Sequence, residues 1–176
     1  ESYSGQVPTI LKINSSNSLL KEKDQSKNGN VKEALKLGCC AVGFTIYPGS
    51  EYQYEMIEEF KELSYEASSH GLPSVLWSYP RGPNITKDGE TALDIIGYAA
   101  HIAAQLGAHI IKVKPPTSYI EQKDHKQLFE KEKLDIDNLS DRIAHIKRCA
   151  FNDKRIVVFS GGNSKNIEEL LSEIKN

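Results

Sequence analysis

The sequence predicts an α/β fold in which parallel strands alternate with helices. Three features point to it. A unit of helix, glycine, short apolar strand and Pro/Gly-rich end recurs along the 176 residues. The helix-ending glycines Gly38, Gly71 and Gly107 lie 33 and 36 residues apart, the length of one strand–helix unit. Polar and aromatic residues collect at the C-terminal strand ends, where folds of this class place their ligands. Such alternation implies parallel pairing with right-handed crossovers.

The elements follow in order. VPTILKINSS reads as a strand. The polar stretch Lys21–Asn30 reads as a solvated loop. In NVKEALKLG, Asn30 is an N-cap, Glu33 completes a capping box and Gly38 is a stop signal. The strand AVGFTIYPGS follows. In EYQYEMIEEFKELSYEASSHG, Met56, Phe60, Leu63 and Ala67 recur at helical spacing, and Gly71 ends the helix. LPSVLWSYPRG is the next strand. TALDIIGYAAHIAAQLG is a helix with Leu93, Ile96, Ala100 and Ala103 on one face, stopped by Gly107. AHIIKVKPP is a strand. The charged run Ser118–Lys133 reads as a mobile surface excursion. An amphipathic segment around LDIDNLSDRIAHIKRCAF, the strand RIVVFSGG and the helix NIEELLSEIKN complete the chain. Five strands thus end near Asn14, Gly49, Gly82, Pro116 and Gly162. No Gly-rich dinucleotide fingerprint follows any of them. A (β/α)₈ barrel shares this repeat but typically needs about 250 residues.

Composition bounds the class. One domain, residues 1–176, is expected from the length. A net charge of −2 leaves no bulk basic field, so neither nucleic acid nor an anionic membrane is expected as a partner. The longest apolar runs are strand-sized, far short of a membrane span. The N-terminal ESYSGQVPT lacks the charged-then-apolar layout of a secretory signal. Three cysteines, two of them adjacent, argue against a disulfide framework and for a reduced, cytoplasmic setting. Cys149 reads as filler on a helix face, with a reactive thiol as the alternative. The histidines have no HxH, HExxH or CxxC-type company, so no metal site is expected.

The candidate site residues sit at strand ends. Trp77, Tyr79 and Arg81 of WSYPRG alternate onto one face. They either form a wall, a phenol and a guanidinium around one space, or pack with Arg81 paired to a surface carboxylate. In ILKIN, Lys12 and Asn14 share a face, and a snorkelling Lys12 is the plain alternative. In IVVFSGGN, Ser160, Gly161 and Gly162 lead a strand into a helix, a geometry that suits phosphate or forms an ordinary turn. In IIKVKPP, Lys112 and Lys114 share a face. A lysine beside another cation has a lowered pKa, which frees its amine to form a Schiff base. Solvent exposure or pairing with carboxylates is the alternative.

These motifs resemble those of the archaeal-type class I fructose-1,6-bisphosphate aldolases, of the deoxyribose-phosphate aldolase superfamily. The matching stretches are ILKIN, VKEALKLGCCAVGFTIYPGSEYQYEM, SVLWSYPRG, DIIGYAAHIAAQLGAHIIKVK and VVFSGG, in the family's order across most of the chain. The resemblance implies a (β/α)₈ TIM barrel and Schiff-base aldol chemistry with no metal or other cofactor. It implies reversible cleavage of fructose 1,6-bisphosphate to dihydroxyacetone phosphate and glyceraldehyde 3-phosphate. A related Schiff-base lyase or transferase on another sugar phosphate, or a non-catalytic barrel binding a phosphorylated metabolite, is the alternative. Lys112 matches the Schiff-base lysine and Tyr79 the proton donor and acceptor. Trp77 and Arg81 match residues lining the substrate site, and Lys114 a second pocket lysine. Ser160, Gly161 and Gly162 match a phosphate-binding turn. A homo-oligomer acting on a phosphorylated ketose is expected. Nothing matches the family's first strand or its last, so the barrel is expected to be truncated at both ends. By this count the strands are two to seven of eight, with the fifth, ahead of Lys112, not separately visible. The charged run after KPP departs from the family's shorter loop.

Overall fold

The computed structural model describes residues 5–132 and 134–160. Seven strands and five α-helices lie among them. In chain order these are β1 (Ile10–Lys12), β2 (Asn14–Ser15), β3 (Ser26–Lys27), α1 (Val31–Lys36), β4 (Ala41–Ile46), α2 (Gln53–Ser69) and β5 (Ser74–Ser78). A 3-10 turn (Gly89–Thr91), α3 (Leu93–Gln105), β6 (Ile110–Val113), α4 (Lys123–Lys131), α5 (Leu139–Cys149) and β7 (Ile156–Phe159) follow. Strands β1, β4, β5, β6 and β7 form one sheet in that order, and every neighbouring pair is parallel. This is an arc of a (β/α) barrel. β5 pairs directly with β6, so no hidden strand precedes Lys112 and the five visible strands are consecutive. The count that inserted one there is corrected, because ladder pairing leaves no gap for it.

The local signals act as expected. Asn30 accepts from Glu33 N–H while the Glu33 carboxylate accepts from Asn30 N–H, a complete capping box. The core lies between the sheet and the helices. Phe44 of β4 meets Phe60 of α2 at 5.9 Å between ring centroids, and both are fully buried. Truncating either to alanine costs about 3–5 kcal/mol. The predicted α3 face, Leu93, Ile96, Ala100 and Ala103, is wholly buried. Ser78 Oγ donates to the Ala99 carbonyl at 2.9 Å and ties β5 to that helix.

Two loop expectations are revised. Within Lys21–Asn30, Ser26–Lys27 pairs antiparallel with Asn14–Ser15, and Gln25 is buried. Within Ser118–Lys133, α4 folds onto the core through Phe129, with Ile120 and Ile136 packed beside it. Ile120 and Phe129 within the segment, with Ile136 just after it, sufficed to anchor a stretch whose average composition is polar. The final helix expected at NIEELLSEIKN lies outside the described residues.

Candidate active site

Parallel strands point alternate side chains to opposite faces. On β6, Ile111 and Val113 are fully buried against the helices, while Lys112 and, just past the strand end, Lys114 turn to the other face and are partly buried. On β5, Ser78 points outward to α3, so Trp77, Tyr79 and Arg81 turn inward. The register aligns Thr45, Trp77 and Lys112 across β4, β5 and β6. One layer nearer the strand N-termini, Lys12 is aligned with Gly43.

Trp77 organises the centre. A Cβ on Gly43 would stand 2.5 Å from the indole, so glycine there is what lets the ring lie across β4. The ring receives two cations. Lys12 Nζ lies 5.8 Å and Lys112 Nζ 5.6 Å from its centroid, within cation–π range. Lys12 also donates to Asn14 Oδ1 at 2.7 Å. Burial lowers its pKa to about 8.

Asn14 faces protein rather than open space. It is fully buried, its amide donates to the Thr45 carbonyl and its Oδ1 accepts from the Thr45 N–H, both at 2.8 Å. These side-chain hydrogen bonds tie Asn14 of β2 to β4 and hold Lys12. Fully buried, it stands beside the Lys12 ammonium rather than at an open surface.

At the mouth, Tyr79 N–H donates to the Ile46 carbonyl and Arg81 N–H to the Pro48 carbonyl, extending the ladder past the strand ends. Burial raises the Tyr79 pKa against the opposing pull of the Arg81 charge, with Tyr47 adding to the rise. The phenol is therefore protonated at neutral pH. Arg81 stacks over Tyr47 at 5.4 Å, and Gln25 donates to the Tyr47 hydroxyl at 2.6 Å. Arg81 Nε is buried with no hydrogen-bond partner among the described residues. A cleft of about 280 Å³ opens beside it, lined by Lys23, Ser50, Tyr52, Arg81 and Glu90. Gly82 keeps this mouth tight, since a Cβ there would sit 1.8 Å from the Gly49 carbonyl oxygen.

Lys114 is not the bare cation that the paired-lysine argument uses. Its ammonium pairs with Glu90 at 3.0 Å, and both side chains are largely buried. Burial alone would raise the Glu90 pKa, but hydrogen bonds from Lys114 and then Lys87 outweigh it and hold the carboxyl below its usual range. The Lys114 charge is thus compensated by the Glu90 carboxylate. Ser160 N–H donates to the Val113 carbonyl at 3.0 Å, which sets the end of β7 beside β6. Gly161 and Gly162 lie outside the described residues.

Sequence reasoning missed Gly43, Tyr47 and Glu90. Tyr47 had a signal: TIYPGS and WSYPRG both place Tyr-Pro just past a strand end. Gly43 and Glu90 had none, because their roles arise from contacts between elements. A larger groove of about 530 Å³ lies between α2 and α3, on the helical side and away from the lysines.

Comparisons with known proteins agree with this geometry. A family model described as DeoC/LacD family aldolase matches residues 1–176. The class 1 fructose-bisphosphate aldolase of Thermoproteus tenax is 46% identical over 113 residues, 64% of this chain and 42% of that protein. The fructose-bisphosphate aldolase/6-deoxy-5-ketofructose 1-phosphate synthase of Methanocaldococcus jannaschii is 41% identical over 119 residues, 63% of this chain and 38% of that protein. A solved structure of an archaeal fructose-1,6-bisphosphate aldolase, with its catalytic Lys covalently bound to the carbinolamine intermediate of the substrate, superposes with a TM-score of 0.77 at 32% identity. It is matched over 98% of this chain and 60% of its own length. The chain therefore spans less than half the length of the curated relatives it matches. Strand order, inward lysines and the whole-chain family match together lead to one conclusion: this chain belongs to the DeoC/LacD aldolase family.

Proposed function

We propose that the complete protein is a class I aldolase that reversibly cleaves fructose 1,6-bisphosphate, and that this chain carries its Schiff-base lysine, Lys112. The observation that carries the reading is the placement of Lys112, inward-facing on β6 and level with Trp77 of β5. The amine attacks the C2 carbonyl to give a carbinolamine. Tyr79, protonated at rest, donates to the departing hydroxyl as water leaves and the iminium forms. The phenolate so created takes the C4 hydroxyl proton. The C3–C4 electron pair then flows to the iminium nitrogen, and glyceraldehyde 3-phosphate departs. Protonation at C3 and hydrolysis of the imine release dihydroxyacetone phosphate.

Arg81, with its unpartnered buried Nε, is suited to a phosphate oxygen, and its strand end faces the cleft. The turn at Ser160, Gly161 and Gly162 and the Lys114 ammonium are assigned to phosphate in the same reading. Lys12 contributes a second cation at the Trp77 ring, with Asn14 acting through it. The protein is read as a cytoplasmic homo-oligomer, with no nucleic acid or membrane partner.

Borohydride reduction of the full-length protein with fructose 1,6-bisphosphate is the test. The expected result is one stable adduct on the peptide bearing Lys112. An adduct elsewhere, or none, overturns the assignment. The M. jannaschii relative supports a second reading, synthesis of 6-deoxy-5-ketofructose 1-phosphate. Turnover measured side by side in both reactions separates the two.

A further inference from the structure

We infer that Glu121, in the charged segment after β6, is a positioning residue that holds the Lys114–Glu90 pair in place. The inference rests on the aldolase reading only where it touches substrate. The contacts form a closed circuit. Glu121 Oε1 accepts from Thr86 N–H at 2.9 Å and Oε2 from the Thr86 hydroxyl at 2.8 Å. That hydroxyl accepts from Gly89 N–H at 3.0 Å, and the Thr86 carbonyl accepts from Glu90 N–H at 3.1 Å. The 3-10 turn so fixed presents Glu90 to Lys114 at 3.0 Å. Lys114 directly follows β6, and the same stretch of chain leads on to Glu121.

The carboxylate is itself anchored. Asp94, almost wholly buried at the start of α3, accepts from Glu121 N–H at 3.1 Å, Gln122 N–H at 3.0 Å and His125 Nδ1 at 3.1 Å. Gly89 leaves the room that the carboxylate fills, since a Cβ there would stand 2.7 Å from Glu121 Cδ. Thr117 N–H to the Thr91 carbonyl at 2.8 Å and Leu93 N–H to the Tyr119 carbonyl at 2.9 Å bind the two segments along their length. A segment that composition marks as a surface excursion is thus built into the active-site mouth.

The test uses the full-length protein and the variants Glu121→Ala, Glu121→Gln and Thr86→Val. The first measurement is the acylation rate of Lys114 without substrate, mapped by mass spectrometry. Release of the pair raises that rate about threefold in Glu121→Ala and less in Glu121→Gln. The second is kinetic. KM for fructose 1,6-bisphosphate rises about tenfold in Glu121→Ala with kcat little changed, and no further rise occurs in a Lys114→Met background. A role confined to stability would lower the melting temperature and leave Lys114 reactivity and KM unchanged. Unchanged Lys114 reactivity in folded Glu121→Gln and Thr86→Val overturns the inference. Failure of the wild type to form an imine overturns the aldolase reading instead, and the reactivity measurement still decides this one.

Discussion

Trp77 lies over Gly43, the one residue type that leaves room for it: a methyl group there would stand 2.5 Å from the indole. The contact joins β4 to β5 on the inner face and brings the ring within reach of both Lys12 and Lys112. Gly43→Ala forces the indole to shift. The expected result is a loss of about 1–3 kcal/mol in stability from overpacking. A fall of about tenfold or more in kcat/KM accompanies it, because the ring no longer shapes the lysine pocket. Trp77 is the sole tryptophan of these 176 residues, so a changed emission maximum in that region reports the shift. Unaltered kinetics would show that the ring position is immaterial to the reaction.

Tyr79→Phe removes the proton carrier without removing the ring. Turnover is expected to fall by roughly 10²–10⁴, while the borohydride adduct at Lys112 still forms slowly. Single-turnover kinetics separates these steps. A variant with full turnover would show that another group moves the protons.

Asn14→Ala leaves the buried Thr45 N–H and carbonyl unpaired. Denaturant unfolding should show a loss of roughly 2–4 kcal/mol. Loss of the Lys12 partner should also broaden the range of positions open to that ammonium. If stability is unchanged, ordered water has replaced the amide and the clamp is dispensable.

Lys12 makes stability depend on pH in a defined window. Its pKa is 10.5 in the unfolded chain and about 8 in the fold, because burial penalises the charge. Between these values the unfolded chain binds more protons, so stability rises with pH. Below about pH 8 the amine is charged in both states and the burial penalty is fully present. Denaturation midpoints of wild type and Lys12→Met, compared from pH 7 to 10.5, should diverge in favour of wild type as pH climbs through that window. Parallel profiles would mean that the ammonium stays hydrated.

The Lys114–Glu90 pair gives a dependence of the same sign in an acid window. Hydrogen bonds from Lys114 and Lys87 hold the Glu90 pKa below its usual value despite burial. A depressed carboxylate contributes stability above its unfolded pKa and loses it as pH falls through its folded one. Glu90→Gln should therefore be less stable than wild type at neutral pH, and the difference should vanish in acid below the ordinary carboxylate range. A constant difference across acid pH would assign the effect to packing.

Much of the fold was legible because its signals are local. Asn30 and Glu33 form their capping box three residues apart, and Met56, Phe60, Leu63 and Ala67 declare a buried stripe within one helix. Alternation alone placed Trp77, Tyr79 and Arg81 on one face and Lys112 and Lys114 on another strand's inner face. Average composition misjudged Ser118–Lys133, because Phe129 and the Asp94 carboxylate anchor it one contact at a time.

By itself, then, the sequence determined the order of the five parallel strands and of the helices α1, α2, α3 and α5 between them, the alternation of side chains along those strands and the presence of two lysines at the end of β6. These depend on periods of 2 and 3.6 residues, which are written along the chain. Only the tertiary structure decided which charges are bare and which are paired. Lys114 meets Glu90 across 24 residues of sequence, Asn14 meets Thr45 across 31, and Glu121 meets Thr86 across 35. Pairings at such separations are set by how βα units stack side by side, and no local pattern encodes them.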